Sequence, residues 1–306
     1  MWFIFALLTT LSWGAADLFY KKGADENDRY SHLKTTVIVG LVMGIHAAYT
    51  LLTQDIGYNF ENILIYLPVS LMYILSMTVG YFGLRYLELS VSSPIQNSSG
   101  AVACILCLVI LGQTMDMLST AGVVLICLGV ISLGIVEKRI QDSLETGDNR
   151  KYKIGFVAFV MPILYCIIDA LGTFFDAYYL DDIATTPLKD VTEQTFETVA
   201  NTSYELTFFI CAAILYVFIR FFKGQSFEPK MQGSRLTAAI FETVGQFFYV
   251  YALSGNGVVA APMIASYCIV SIIFSRIFLK EKLTLPQYIT IFIAIAGIIL
   301  LGIADA

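Results

Sequence analysis

Charge is what this sequence has least of. Asp, Glu, Lys and Arg make up 14 % of its 306 residues, where a soluble chain carries about 25 %. Such a chain has too little polar material to cover a surface facing water. Histidine occurs only twice, and no H-E-x-x-H pair is present, so a zinc-hydrolase ligand set is missing. No G-x-x-x-x-G-K-[ST] loop occurs, which excludes ATP hydrolysis by this chain. Met1-Trp2-Phe3 supplies no basic n-region, and the first apolar run leads directly into Lys21-Lys22, so no cleavable signal is expected. The six cysteines all fall inside apolar runs, which excludes a disulfide framework in the loops. Cys104 and Cys107 have C-x-x-C spacing but no His or acidic companion, so they read as packing residues. No metal and no cofactor are expected.

What the chain does have is hydrophobic length. Apolar residues make up 58 % of it, and the mean hydropathy is +0.75. Runs of about 20 residues match a hydrocarbon core about 30 Å thick. The pattern predicts ten spans, over 2–20, 33–52, 63–87, 92–112, 117–136, 154–175, 201–222, 235–253, 257–278 and 284–304. The expected fold is therefore an all-α membrane protein. Two connections are longer than the rest. The charged stretch from Glu137 to Lys153 reads as a linker, and the acidic stretch from Asp176 to Ala200 as an outer loop. Within the latter, Asp190-Val191-Thr192-Glu193 has the residues to start a helix that extends the seventh span.

Of the 18 Lys and Arg residues, every one except Lys189 falls on odd-numbered loops or nearby helix ends. The positive-inside rule then puts the odd loops in the cytoplasm and both termini outside, in a multi-pass protein of the plasma membrane.

The second half echoes the first. Thr78-Val79-Gly80-Tyr81-Phe82 with Tyr86 matches Thr243-Val244-Gly245-Gln246-Phe247 with Tyr251, at an offset of 165. Pro94 to Ile135 runs without gaps against Pro262 to Ile303 at an offset of 168, pairing Ser98 with Ser266, Gly129 with Gly297 and Gly134 with Gly302. At an offset of 152, Trp13-x-x-x-Asp17 aligns with Tyr165-x-x-x-Asp169. Matched Pro and Gly positions carry backbone reasons that general hydrophobicity does not supply: Pro at a helix start, Gly where helices cross closely. The expected organisation is a five-helix repeat over 1–140, a cytoplasmic linker over 141–153 and a second repeat over 154–306. Five is odd, so the second repeat enters the membrane inverted relative to the first, an arrangement that supports alternating access.

Ser12-Trp13-Gly14, the stretches Tyr86 to Pro94 and Tyr251 to Pro262, and Leu279-Lys280-Glu281-Lys282-Leu283-Thr284 followed by Gly297 together resemble the drug/metabolite transporter superfamily, in its EamA-type branch. They match that branch's small-residue-Trp-Gly, its A-L-x-Y followed by small residues and Pro, and its L-G-E-x-L-T before the last helix. Lys280 departs from the usual Gly, and Gln113 stands where Glu is common. The resemblance covers nearly the whole chain and implies a basket of ten helices around a central substrate cavity. It leaves the substrate open among amino acids, sugars, nucleobases, amines and other metabolites.

An ionisable group at membrane depth is costly unless paired or wetted, so each one is a candidate site residue. Glu242 shares a helix face with Gln246 and Tyr249, and reads as a cation partner, a proton carrier or an interhelical hydrogen-bonding group. Asp17 and Asp169 form a repeat-related pair behind Trp13 and Tyr165. By orientation one lies towards the cytoplasm and the other towards the outside, with Lys21 as an alternative partner for Asp17. The Ser92–Ser99 stretch, with Gln96 and Asn97, is too polar to face lipid and lines either a wet cavity or a tight helix contact. Its counterpart contributes Ser266 and Tyr267, and Tyr81 completes the set of candidate binding or coupling residues. Arg85 with Glu88 reads as a snorkelling pair, Arg276 as a topology anchor, His46 as a packing residue and Glu205 as a guard at the outer entrance.

The expected activity is secondary transport of a small polar metabolite by alternating access, with a cationic or zwitterionic amine or amino acid favoured. Protons or a counter-substrate are candidates for coupling, and the protein is expected as a monomer or homodimer with no nucleic-acid partner. The competing readings are an intramembrane enzyme using Asp17 and Asp169, and a receptor without flux.

Overall fold

The computed structural model describes residues 1–25, 27–83, 89–144, 155–227, 229–278 and 282–306. The described residues form helices and no strand. In chain order these are α1 (Trp2–Gly23), α2 (Ser31–Thr53), α3 (Glu61–Ile65), α4 (Leu67–Gly83), α5 (Leu89–Asn97), α6 (Ser99–Leu106), α7 (Met117–Leu144), α8 (Gly155–Tyr179), α9 (Phe196–Val217), α10 (Pro229–Leu253), α11 (Gly257–Ala265), α12 (Tyr267–Phe278) and α13 (Leu285–Ala304). Wide π-turns extend α6 through Leu111 and α9 through Phe222. Among the described residues nine helical segments are long and apolar enough to cross a membrane, and Leu67–Gly83 is a shorter apolar helix. Arg85, Tyr86, Glu88, Leu279, Lys280, Glu281 and most of the 141–153 linker lie outside the described residues.

Membrane character shows in which faces are buried. Along α13 Leu285, Ile289, Phe292, Ile299 and Ile303 point outward, while Ala294, Gly297 and Leu301 pack inward. Polar groups do the opposite: Thr9, Thr10, Ser70, Ser76, Thr202 and Ser271 are all buried. A greasy exterior around a partly polar interior suits hydrocarbon, where every polar group needs an internal partner. Arg235, grouped with the topology-setting charges above, is 1 % exposed. It donates to the carbonyl of Gly23 at 3.1 Å and to Ser31 Oγ at 2.9 Å, clasping the ends of α1 and α2 to α10.

The structure corrects several boundaries. The third span is interrupted at Tyr66, where Pro68 opens α4. Pro94 and Pro262 do not start helices; they sit inside α5 and α11. Four residues after each proline the helix breaks, at Ser98 and Ser266, where the backbone switches to tighter bonds, Ser98 N to Ile95 O and Ser266 N to Met263 O. Asp176 does not belong to a loop, because α8 continues to Tyr179 and buries it completely. The seventh span does extend outward, but α9 starts at Phe196; Asp190 instead takes a left-handed backbone (φ 55°) and accepts from Asn59. Thr284 caps α13 through a reciprocal capping box with Gln287.

Close crossings fall at glycines. A Cβ on Gly100 of α6 would meet Ala265 Cβ at 2.4 Å and the Ala261 carbonyl at 2.8 Å on α11. One on Gly129 of α7 would meet Ala294 of α13 at 2.7 Å. The main helix pairings are α1 with α10, α7 with α13, α2 with α9 and α4 with α8, followed by α1 with α12, α2 with α10 and α6 with α11.

Candidate substrate cavity

A cavity of about 70 Å³ lies among α1, α4, α5, α6, α8, α9, α10, α11 and α12. At about 10–15 Å³ per water centre it holds roughly five waters, or a ligand with about that many heavy atoms. Trp13 and Asp17 reach it from α1, Tyr81 from α4, Gln96 and Asn97 from α5, Tyr165 and Asp169 from α8, and Glu242, Gln246 and Tyr249 from α10, with Tyr267 from α12. Ser266 is the exception among the expected residues. Its hydroxyl turns back to the Met263 carbonyl at 2.6 Å, serving the helix break and leaving the cavity wall.

Three carboxylates face this space. Asp17 Oδ2 accepts from Ser93 at 2.9 Å and Ser271 at 2.8 Å, so its partners are serines of two other helices and not Lys21. Asp169 accepts from Ser76 at 3.2 Å and Ser99 at 2.7 Å. Glu242 Oε2 accepts from Tyr20 at 3.3 Å, and its backbone carbonyl accepts from Trp13 Nε1 at 3.3 Å. Asp17 and Asp169, expected towards opposite sides of the membrane, both line the one cavity together with Glu242. No Lys, Arg or His occurs among the described residues of the wall.

Aromatic rings make up much of the remainder. Trp13 packs on Tyr249 with centroids 5.1 Å apart and edge-on to Tyr267 at 5.8 Å. Tyr20 and Tyr81 lie 4.6 Å apart. Gly245 lets Trp13 in, since a Cβ there would stand 2.4 Å from the indole. Ser99, of the polar Ser92–Ser99 stretch, lines the cavity too, and Tyr20, Tyr73, Met77, Thr173 and Tyr204 do so beyond the candidate residues named from the sequence. Their signal in the sequence is helical spacing: Tyr20 lies one turn past Asp17, and Thr173 one turn past Asp169.

Beside the cavity, the Tyr73 hydroxyl bonds Tyr249 and also reaches Thr173 Oγ1 at 3.2 Å, while Tyr66 donates to buried Asp176. His46 is not alone. Its Nδ1 meets Glu205 Oε1 at 2.8 Å, and Asn201 donates to the same carboxylate at 3.1 Å. Glu205 is wholly buried by these contacts, so it does not stand at an entrance.

Residues 1–135 and 190–303 match the family model of the EamA-like transporter family. The chain belongs to the EamA-like transporter family. With nine apolar helical segments among the described residues, it is a multi-pass membrane protein of that family. A solved crystal structure superposes with a TM-score of 0.68 at 9 % identity, covering 98 % of this chain and 96 % of that one, which shows a shared fold. An uncharacterized protein of Methanocaldococcus jannaschii is 37 % identical over 79 residues, or 26 % of this chain. The match spans 58 % of that relative's length.

Proposed function

We propose that this EamA-family protein is a secondary transporter of the plasma membrane that carries a small cationic or zwitterionic amine or amino acid by alternating access. The observation that carries the reading is the central cavity, with Asp17, Asp169 and Glu242 on its wall, no basic side chain among the described lining residues, and Trp13 with several tyrosines around them. A cation there would meet carboxylates and the negative faces of aromatic rings in a low-dielectric setting. Glu242 is the chief partner. Asp17 and Asp169 each accept two serine hydroxyls, whereas the Glu242 carboxylate accepts one tyrosine hydroxyl at 3.3 Å, which leaves it the most acceptor capacity.

Two inverted repeats, over 1–140 and 154–306 joined by the 141–153 linker, supply the motion. In support, several helix pairings survive exchange of the halves: α1 with α10 becomes α8 with α4, while α2 with α9 and α7 with α13 map onto themselves; α6 with α11 becomes the slighter contact of α12 with α5. The matched breaks at Ser98 and Ser266 fit the same reading, since broken helices at the midplane are where such carriers bind substrate. Coupling is to protons or to a counter-substrate. The aspartyl-enzyme reading is disfavoured because each aspartate is bonded to its own serine pair, where a catalytic dyad shares a proton between its carboxyls.

A thermal-shift screen of purified protein against amines, amino acids, sugars and nucleosides identifies the ligand class. Uptake of the strongest hit into proteoliposomes, with and without an imposed pH gradient, then compares the native protein with Glu242→Gln. The expected result is an amine or amino acid as best ligand, with a loss of about tenfold or more in the variant, the scale of one charged hydrogen bond. A sugar or nucleoside as best ligand, or undiminished transport by the variant, overturns the assignment.

A further inference from the structure

We propose that the cavity has a second, uncharged recognition pole at Gln96, so that the transported cation carries a separate neutral hydrogen-bond acceptor such as a hydroxyl or carbonyl. This rests on the cation-transporter reading above and narrows it.

The Gln96 amide nitrogen is a buried polar atom with no hydrogen-bond partner among the described residues, and the side chain lines the cavity. It is 7 % exposed. Buried donors are nearly always partnered, because an unmade bond leaves the desolvation cost uncompensated. A donor left open on the wall of a transport cavity is therefore aimed at what enters. Its surroundings hold it there. A Cβ on Gly80 would lie 3.5 Å from that nitrogen and 3.0 Å from the Tyr165 ring, so glycine is what allows amide and ring to lie close against the backbone of α4. Three residues earlier on α5, the Ser93 hydroxyl is committed to Asp17, so the helix that presents the open amide is anchored to α1.

The chemistry of this pole differs from that around Glu242. There the groups are a carboxylate, a tyrosine hydroxyl and an indole; here they are a neutral amide, a tyrosine ring and a glycine. An ionised carboxylate at the second pole would find a neutral donor only, with Asp17, Asp169 and Glu242 repelling it and no Lys, Arg or His among the described lining residues to offset them. A hydroxyl or carbonyl suffers no such repulsion. The inference therefore favours an amino alcohol or amino amide over a free amino acid, and a small one given about 70 Å³ of space.

Three probes separate these cases: the near-isosteric pair propylamine and ethanolamine, and the larger β-alanine, titrated against the full-length protein by ligand-detected NMR. Ethanolamine is expected to bind about tenfold tighter than propylamine, the worth of one hydrogen bond at the upper end of its usual range, with β-alanine weakest. Gln96→Leu is expected to bring ethanolamine to within about twofold of propylamine while propylamine itself is unchanged, a split that a merely structural role would not produce. Equal binding of the two amines to the native protein overturns the second pole, as does an equal loss of both in the variant, and either leaves the cation reading standing. The ranking on native protein needs no variant to fold. Failure of both amines to bind while β-alanine or a neutral compound does, or amine binding that survives Glu242→Gln, overturns the cation reading itself.

Discussion

His46 illustrates how little a residue's own position says about its work. From the sequence it is a solitary histidine past the middle of the second expected span, and Glu205 is an acid near the outer end of the seventh. In the structure they form one pair with Asn201 as a further donor, and Phe247 packs edge-on against the imidazole at 5.9 Å. Glu205 is wholly buried while His46 is 30 % exposed, so removing His46 strands a buried carboxylate, at a cost towards the lower end of about 3–5 kcal/mol, whereas replacing both by apolar side chains costs far less. His46→Leu is accordingly expected to lower stability in detergent by about 3 kcal/mol. The double variant His46→Leu/Glu205→Leu should recover most of that loss. Thermal unfolding of the three proteins checks it, and a double variant less stable than the single one would contradict the account. The same reasoning explains why Asp176 reads as a loop acid in the sequence: its burial depends on Tyr66, far upstream in the chain, which no local pattern reveals.

Between elements, contacts are set by glycines whose reasons differ. Gly100 faces the backbone of α11 so closely that an added methyl would overlap the Ala261 carbonyl and Ala265 Cβ. Without a hydrophobic drive between helices in lipid, such close approach is a main source of attraction. Gly100→Ala is expected to destabilise by about 1–3 kcal/mol through overpacking. Gly233, near the start of α10, is different: a methyl added there would meet nothing within 4 Å. Gly233→Ala should therefore stabilise by about 0.5–1 kcal/mol, since only helix propensity changes. Opposite signs from the same substitution, read by thermal unfolding in one detergent, test the packing argument; equal signs would defeat it. The prolines teach a related lesson. Their matched positions are visible in the sequence, but their effect falls elsewhere, because the break comes four residues on, where Ser98 and Ser266 turn the backbone.

At the scale of the whole molecule, orientation follows from the distribution of Lys and Arg. With Lys189 the exception among 18 basic residues, the loop carrying Thr192 is expected outside and the loop carrying Gln225 in the cytoplasm. A membrane-impermeant maleimide should label Thr192→Cys in intact cells, and Gln225→Cys only after permeabilisation. The reverse pattern would invert the topology.

Membrane residence, helical class and most span positions were legible in the residues alone. The cost of moving a side chain from water to hydrocarbon is a local quantity, and it adds up along a run of about 20 residues without reference to anything else. The candidate cavity was partly legible for the same kind of reason: Glu242, Gln246 and Tyr249 share a face by helical spacing, and polar groups at membrane depth must turn inward. Which inward groups meet was decided only by the tertiary structure. Asp17 finds Ser93 and Ser271, Tyr73 finds Tyr249, and Gln96 is left with an open donor, because these distances depend on how helices far apart in the chain cross, and crossing geometry is a property of the packed bundle and not of any one segment.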